Sequence, residues 1–251
     1  HVEGKVDPIA DAETVETELM LADLESLEKR VPNFAKKAAQ GDKESKIAAS
    51  VLGQALDLLR DGKPARLTQP KDAEEARVFA QAQLLTAKPV LYVCNVEEAN
   101  AAQGNAHSAR VFEKAAAEGA EAVIVSAAIE AEIATMPGED RGEFLAELGL
   151  EETGLARVIR AGYKLLHLLT FFTVGPKEAR AWTVHAGATA PEAAGEIHTD
   201  FEKGFIRAET IAYDDFVTLG GEARAREAGK LRAEGKGYVV QDGDVMHFLH
   251  S

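Results

Sequence analysis

Two short apolar runs with a helical segment between them constrain the fold of this chain more than any other feature. Val90 to Cys94 and Ala122 to Val125 are apolar throughout, and residues 108–118 between them have a helical pattern. Strands without polar alternation are typical of parallel sheets that are covered on both faces. Because parallel neighbours need a long crossover, which this helix supplies, we expect a parallel βαβ unit. A helical stretch over 129–147, interrupted at Pro137, follows it.

The N-terminal part of the chain has the pattern of a helical hairpin. Residues 13–39 are predicted to form one long helix, whose apolar residues step by three and four along a narrow seam: Leu24, Leu27, Val31 and Phe34. Gly41 ends this helix, and Asp42 caps a second one over residues 43–60. Two helices joined by a short turn must lie antiparallel to bury their seams. A third helix is predicted over 72–85.

The last third has the pattern of a small α+β module. The runs 168–174 and 179–184 are rich in β-branched and aromatic residues and are separated by turn residues, which predicts a hairpin. Thr189 with Glu192 three residues later predicts the start of a short helix. A final apolar strand is expected over 245–249, after an Asp-Gly-Asp turn.

Composition excludes several classes of protein. The single cysteine, Cys94, excludes an internal disulfide, fits a reducing cytoplasm, and is interpreted as a small buried hydrophobe. No apolar run approaches the ~20 residues that a membrane helix needs, and the start of the chain lacks a signal-peptide pattern. The seven histidines have no metal-ligand spacing, so we assign no metal to them.

The net charge of −14 argues against a sequence-blind nucleic-acid coat, so any RNA contact must use a local basic patch. One candidate patch lies near the C-terminus and consists of Arg224, Arg226, Lys230 and Arg232. A second lies in the first helix and consists of Lys29, Arg30, Lys36 and Lys37. The alternative for each patch is an ordinary solvated face.

Polar loops follow both predicted parallel strands. The first strand runs into Asn95-Val96-Glu97-Glu98, and the second runs into Ser126-Ala127-Ala128-Ile129-Glu130. Ligands of open parallel sheets bind beyond the carboxyl ends of the strands, which is where these loops lie. Taken alone, Asn95 is equally well a strand-end turn residue, and Glu98 an acidic residue at a helix N-terminus.

Several longer runs resemble a known family. The segments 183–191, 197–209 and 241–248 resemble the TGS domain, a ubiquitin-like β-grasp module. The runs Leu155 to Lys164 and Glu178 to Thr183 resemble the YchF/Obg-like ATPase family of P-loop proteins. The resemblance implies a partial P-loop NTPase parallel sheet (α/β) with an inserted helical coiled-coil hairpin, followed by an α+β TGS domain. It implies nucleotide-binding segments 1–17 and 86–165, a hairpin over 18–85, and a TGS domain over 166–251.

The resemblance also assigns roles to the two loops. They occupy the places of the base-gripping motifs of P-loop GTPases, which implies a nucleotide site with these residues: Asn95, Val96, Glu98, Ser126, Ala127 and Ala128. Glu98 stands where GTPases have the Asp that reads guanine, and the extra methylene of Glu98 spoils that fit. The family implies ATP in preference to GTP, and a ribosome or ribosomal RNA as the partner, with no sequence-specific DNA and no membrane.

Half of the catalytic machinery is not present in these 251 residues. The sequence contains no G-x-x-x-x-G-K-[ST] loop for phosphates and Mg²⁺, which the family carries before the motif that residues 1–8 resemble. We therefore expect ATP and Mg²⁺ as cofactors of an intact parent that carries the missing N-terminal portion. No catalytic residue is assigned here, and the chain alone is expected to be inactive. The alternative is a non-catalytic RNA- or protein-binding adaptor, which the missing loop favours.

Overall fold

The structure, a computed structural model, describes residues 6–251, so the first five residues of the motif at residues 1–8 lie outside the described residues. The chain forms two compact units, residues 1–158 and 159–251. No helix in the described part is long and apolar enough to cross a membrane.

A helical hairpin opens the first unit, as the apolar seam predicted. Helix α1 spans Pro8–Ala39 and α2 spans Lys43–Arg60, with Leu27, Val51 and Leu52 almost fully buried between them. Helix α1 begins earlier than predicted because proline is well placed at a first helical position, where no hydrogen-bond donor is needed.

The turn of the hairpin and the third helix follow local chemistry. The Asp42 carboxylate accepts a hydrogen bond from the Ser45 amide at 3.1 Å, and hydrogen bonding to the side chain and the amide of Ser45 lowers the pKa of Asp42. Helix α3 spans Ala73–Gln81 and ends before the predicted Leu85. Gln83 adopts a φ of 54°, a left-handed conformation that a right-handed helix cannot continue through.

The βαβ prediction is confirmed in the second half of this unit. Strands β1 (Leu91–Asn95) and β2 (Glu121–Val125) are parallel neighbours, and α4 (Ala106–Glu118) connects them. Asn105 and Ser108 form a capping box at the start of α4, and Gly119 ends the helix in the left-handed conformation.

Three further helices follow β2. They are α5 (Ala127–Thr135), α6 (Arg141–Glu147) and α7 (Gly154–Leu165). The stretch predicted over 129–147 is thus two helices, with the break at the Pro137-Gly138 pair.

One buried carboxylate fastens the hairpin to the segment that leads into β1. Asp23 of α1 is 4% exposed. It accepts hydrogen bonds from the amides of Leu85 and Thr86, each at 2.8 Å, and from the Thr86 hydroxyl at 2.7 Å. The Thr86 hydroxyl in turn accepts from the Ala65 amide at 3.0 Å. The Thr86 and Ala65 donors would otherwise be buried without a partner, which is costly.

The second unit is a five-stranded mixed sheet with helices. Strands β3 (Leu168–Val174) and β4 (Ala179–His185) form the predicted hairpin. The remaining elements are α8 (Ala190–Ile197), α9 (Thr199–Lys203), β5 (Phe205–Ala212), α10 (Tyr213–Leu219), α11 (Glu222–Glu227), β6 (Arg232–Glu234) and β7 (Asp244–His250). The strand order is β4-β3-β7-β5-β6, in which only β3 and β7 pair in parallel.

Helix α8 packs against the sheet in the core of this unit. Phe171 of β3 and Phe248 of β7 meet edge to face at 5.8 Å, against buried alanines of the helix. The predicted cap is present, because the Glu192 carboxylate accepts from the Thr189 amide and hydroxyl at 2.6 and 2.8 Å. These hydrogen bonds lower the pKa of Glu192.

We predict that Asp23→Ala destabilises the first unit, because it leaves the buried amide and hydroxyl of Thr86 and the half-buried amide of Leu85 without their acceptor. The free energy of unfolding should fall by on the order of 3 kcal/mol. Asp57→Ala is the matched control, since the Asp57 side chain is 79% exposed on α2. Urea unfolding of the chain, with amide hydrogen exchange at Leu85 and Thr86, measures the difference. Equal losses in both variants, or unchanged protection of the two amides, would contradict the anchoring role of Asp23.

Candidate functional site

The two polar loops singled out from the sequence meet at one edge of the small parallel sheet. Asn95 and Val125, the last residues of β1 and β2, lie side by side in the strand register. The Val96 amide then donates to the Val125 carbonyl at 2.9 Å, which extends the pairing into the loops. Both loops therefore start at the same level of the sheet, as parallel pairing requires.

A direct hydrogen bond joins the loops. The side-chain oxygen of Asn95 accepts from the Ala127 amide at 3.0 Å. Because an amide N–H can only donate, the Asn95 oxygen must face Ala127, and the NH₂ group must point elsewhere. Asn95 is exposed, so its two N–H donors remain available to a ligand beyond the strand ends.

Ser126 is the most unusual polar group of the site. It is 2% exposed, and its hydroxyl has no hydrogen-bond partner within the part of the chain that the structure describes. It occupies the N-cap position of α5 but does not cap the helix. A buried hydroxyl without a partner costs about 1–3 kcal/mol, so Ser126 is a candidate for an additional hydrogen bond. Ala127 and Ala128, in the first turn of α5, are exposed.

Val96 and Glu98 lie in the other loop. Val96 is buried at 8% exposure, and Glu98 begins a short 3-10 turn, Glu98–Asn100. The Glu98 carboxylate is exposed and has no ion pair or hydrogen bond with any residue of 6–251. Behind the turn, Ala101 packs into an apolar cluster with Ile129 and Ile133 of α5, so one small core supports both loops.

Glu130 has a structural task that the sequence did not reveal. Its carboxylate accepts hydrogen bonds from the amides of Gly154 and Leu155, at 2.6 and 3.1 Å, and so binds the N-terminus of α7. A side chain at Gly154 would place its Cβ 2.9 Å from this carboxylate and 3.1 Å from Val125. Glycine therefore permits the close approach, and Glu130 is committed to holding α7.

A cleft of about 270 Å³ lies beside β1. It is lined by Val93, Cys94 and Asn95 of the strand and by Asn105 and His107 at the start of α4. Val93 is 50% exposed there, and within residues 6–251 only β2 pairs with β1. Burial raises the pKa of the Cys94 thiol, which keeps the sulfur protonated and unreactive near neutral pH.

The C-terminal basic residues lie on α11, in the turn after it and on β6, and carboxylates neutralise most of them. Arg226 contacts Glu209 and Glu222, each at 2.9 Å, and Lys230 contacts Asp215 at 3.2 Å. Arg232 lies 3.5 Å from Asp244, which is 3% exposed, and 3.6 Å from Glu234. Arg224 is exposed and has no ion pair with any residue of the described part.

Comparison with known proteins identifies the family. The chain is 54% identical over 248 residues to the ribosome-binding ATPase YchF of Haemophilus influenzae, and 51% identical over 250 residues to that of Bacillus subtilis. Each match covers 99% of this chain and 68% of the relative. The chain belongs to the YchF family. The domain family YchF-GTPase_C, described as a protein of unknown function (DUF933), matches residues 168–251.

Solved structures of similar proteins support the mixed α/β fold. The YchF GTPase of Schizosaccharomyces pombe has a TM-score of 0.80 at 32% identity, over 99% of this chain and 68% of its own. A GTP-binding protein from Pyrococcus horikoshii OT3 has a TM-score of 0.61 at 22% identity, over 98% of this chain and 72% of its own, and shows the fold alone. The family expected from the sequence is confirmed.

Proposed function

We propose that this chain carries the base-reading part of a ribosome-binding, ATP-preferring P-loop ATPase of the YchF family. The observation that carries the proposal is the junction of the two loops. The Asn95–Ala127 hydrogen bond leaves N–H donors of Asn95 facing outward, beside the buried, unpartnered hydroxyl of Ser126. Relatives named ribosome-binding ATPase YchF support the same activity.

Adenine suits these donors. Its ring nitrogens are acceptors along both free edges, and its exocyclic amine is a donor. Asn95 and Ser126, together with the Ala128 amide in the first turn of α5, would donate to the ring nitrogens, since the Ala127 amide already binds Asn95. Ala127 and Ala128 present small exposed side chains beside the base, and only an edge of the buried Val96 is left to contact it.

The preference for ATP over GTP rests on Glu98. In GTPases an Asp stands at the position of Glu98, and its carboxylate binds two donors of guanine, N1–H and the exocyclic amine. The Glu98 side chain is one methylene longer than that Asp. Adenine has an unprotonated N1 and offers no such pair. The names of the relatives do not decide between the bases, since they include both ATPase and GTPase.

The residues present fit a base but not the triphosphate. No P-loop sequence occurs in the 251 residues, and within residues 6–251 no group of three acidic, histidine or cysteine side chains is placed to hold a metal ion. ATP and Mg²⁺ therefore belong, in this proposal, to an intact protein with a phosphate loop. The gene sequence upstream of His1 tests this directly, since the adaptor alternative requires that no P-loop be found there in frame.

The domain assignment remains part of the proposal. The order β4-β3-β7-β5-β6, with the first and last strands of the unit parallel at its centre, supports a β-grasp TGS domain over 166–251. Helices α1 and α2 support a projecting coiled-coil hairpin over 18–85, although α1 runs unbroken through the proposed boundary at residues 17 and 18. Residues 1–17 and 86–165 would complete the nucleotide-binding domain. A ribosome partner places the protein in the cytoplasm.

We predict that Glu98→Asp shifts the preference of the full-length protein toward guanine nucleotides. The shift should not exceed about 1–3 kcal/mol, the value of a good bidentate base contact. Glu97→Asp is the matched control, because Glu97 is the neighbouring exposed carboxylate in the same loop. Competition between ATP and GTP for the three proteins gives the ratio. Tighter binding of GTP than ATP by the wild-type protein would contradict the base assignment.

We also predict that the 251-residue chain by itself does not hydrolyse ATP. It lacks the lysine and the Mg²⁺-binding hydroxyl of a P-loop, and losing one such electrostatic element typically raises the barrier by about 3–4 kcal/mol. Phosphate release by the purified chain, with the full-length protein as the positive control, measures this. Turnover by the chain above the buffer rate would show that its own residues suffice.

A further inference from the structure

The first turn of α7 holds both ends of the segment that follows β2. The Glu130 carboxylate, in the first turn of α5, accepts hydrogen bonds from the amides of Gly154 and Leu155 at 2.6 and 3.1 Å. Gly154 is buried close to Val125, because a Cβ added at Gly154 would lie 3.1 Å from the Val125 side chain. Val125 and Glu130 flank residues 126–129, here called the base segment. Helix α7 therefore contacts the residue before this segment and the residue after it.

Glu130 joins the N-terminus of α7 to Ser126. The Glu130 amide donates to the Ser126 carbonyl at 3.0 Å, while the Glu130 carboxylate accepts from the two α7 amides. The Thr153 hydroxyl accepts from a third amide of this turn, that of Ala156, at 3.1 Å. The amides at a helix N-terminus have no partner within the helix, and they favour a carboxylate. A shift of Glu130 would therefore also move Ser126, whose buried hydroxyl has no partner within residues 6–251.

The same turn of α7 reaches the loop that follows β1. The guanidinium of Arg157 donates to the Ala101 carbonyl at 3.4 Å. Ala101 is 1% exposed and lies at the end of the 3-10 turn that begins at Glu98. It also packs against Ile129, the last residue of the base segment. Both loops of the candidate site are thus supported by one turn of one helix.

We propose that Glu130 and Gly154 are positioning residues for the adenine of ATP, because their contact holds the Ser126 hydroxyl and the Ala128 amide where the base binds. Both oxygens of the Glu130 carboxylate bind α7, so Glu130 acts through the base segment and not on the base itself. A binding site keeps its affinity only if the groups behind it hold its donors in place. The inference rests on the proposed nucleotide site and names residues that set the affinity of that site.

Two variants of the full-length protein disturb this contact in different ways. Glu130→Gln keeps the length of the side chain but replaces one acceptor with an NH₂ group, which cannot accept from the α7 amide that it faces. Gly154→Ala adds a Cβ that would lie 2.9 Å from the Glu130 carboxylate and 3.1 Å from Val125. Alanine is a better helix former than glycine, so a loss of affinity in this variant does not come from a weaker helix.

Each variant has a matched control that carries the same substitution. Glu132→Gln changes an exposed carboxylate on α5. Gly142→Ala adds a methyl group in α6, where no atom of the described part of the chain lies within 4 Å of the new Cβ. For all five proteins, KM and kcat for ATP are measured by phosphate release. Inhibition by tripolyphosphate, which carries the phosphates without the base, is measured alongside, and thermal melts check folding.

Both variants should raise KM for ATP about tenfold or more with kcat and tripolyphosphate inhibition near wild type, because only the base is misplaced. The two controls should match the wild type. A wild-type KM in either variant overturns the inference, and so does an equal weakening of tripolyphosphate inhibition, which indicates a general loss of structure. If Glu130→Gln does not fold, Gly154→Ala decides the outcome. A wild-type protein that binds tripolyphosphate as tightly as ATP contradicts the proposed base site instead.

Discussion

The parallel pairing of β1 with β2 is the constraint on which the candidate site depends. Asn95 and Val125 end their strands side by side, so the loops that follow the two strands begin next to each other. The 3.0 Å hydrogen bond from Ala127 to Asn95 then fixes one loop against the other. Asp23 extends this order to the hairpin, because it holds the two residues, Leu85 and Thr86, that precede the approach to β1. The candidate site and the helical hairpin thus share one framework.

Local patterns predicted the helical hairpin, the parallel strands and the start of α8, but they did not predict α9, β5, α10, α11 or β6. The narrow seam of α1, the fully apolar strands and the Thr189–Glu192 cap each identified an element that the structure contains. The predicted end of α3 was wrong because one residue, Gln83, adopts a left-handed backbone conformation that stops the helix early. The helical stretch predicted over 129–147 is two separate helices in the structure.

Long-range contacts explain what the sequence could not show. Glu130 binds the amides of Gly154 and Leu155, and the first of these lies 24 residues further along the chain. Asn95 binds Ala127, which lies 32 residues further along. Sequence patterns relate residues within a few positions of one another, so they do not predict contacts at these separations. The same limit applies to charge, because the sequence presents the C-terminal basic residues as a patch, whereas the fold places Glu209 and Asp215 beside them. The nucleotide roles of Asn95, Glu98 and Ser126 came from family resemblance and remain predictions.

A structure of the full-length protein with a non-hydrolysable ATP analogue tests the central claim most directly. We expect the adenine ring beyond the ends of β1 and β2, with the Asn95 NH₂ group or the Ser126 hydroxyl within about 3.2 Å of its ring nitrogens. In the second case Ser126 would have the partner that it lacks within residues 6–251. An adenine bound elsewhere, with Ser126 still unpartnered and Asn95 facing solvent, would contradict the account.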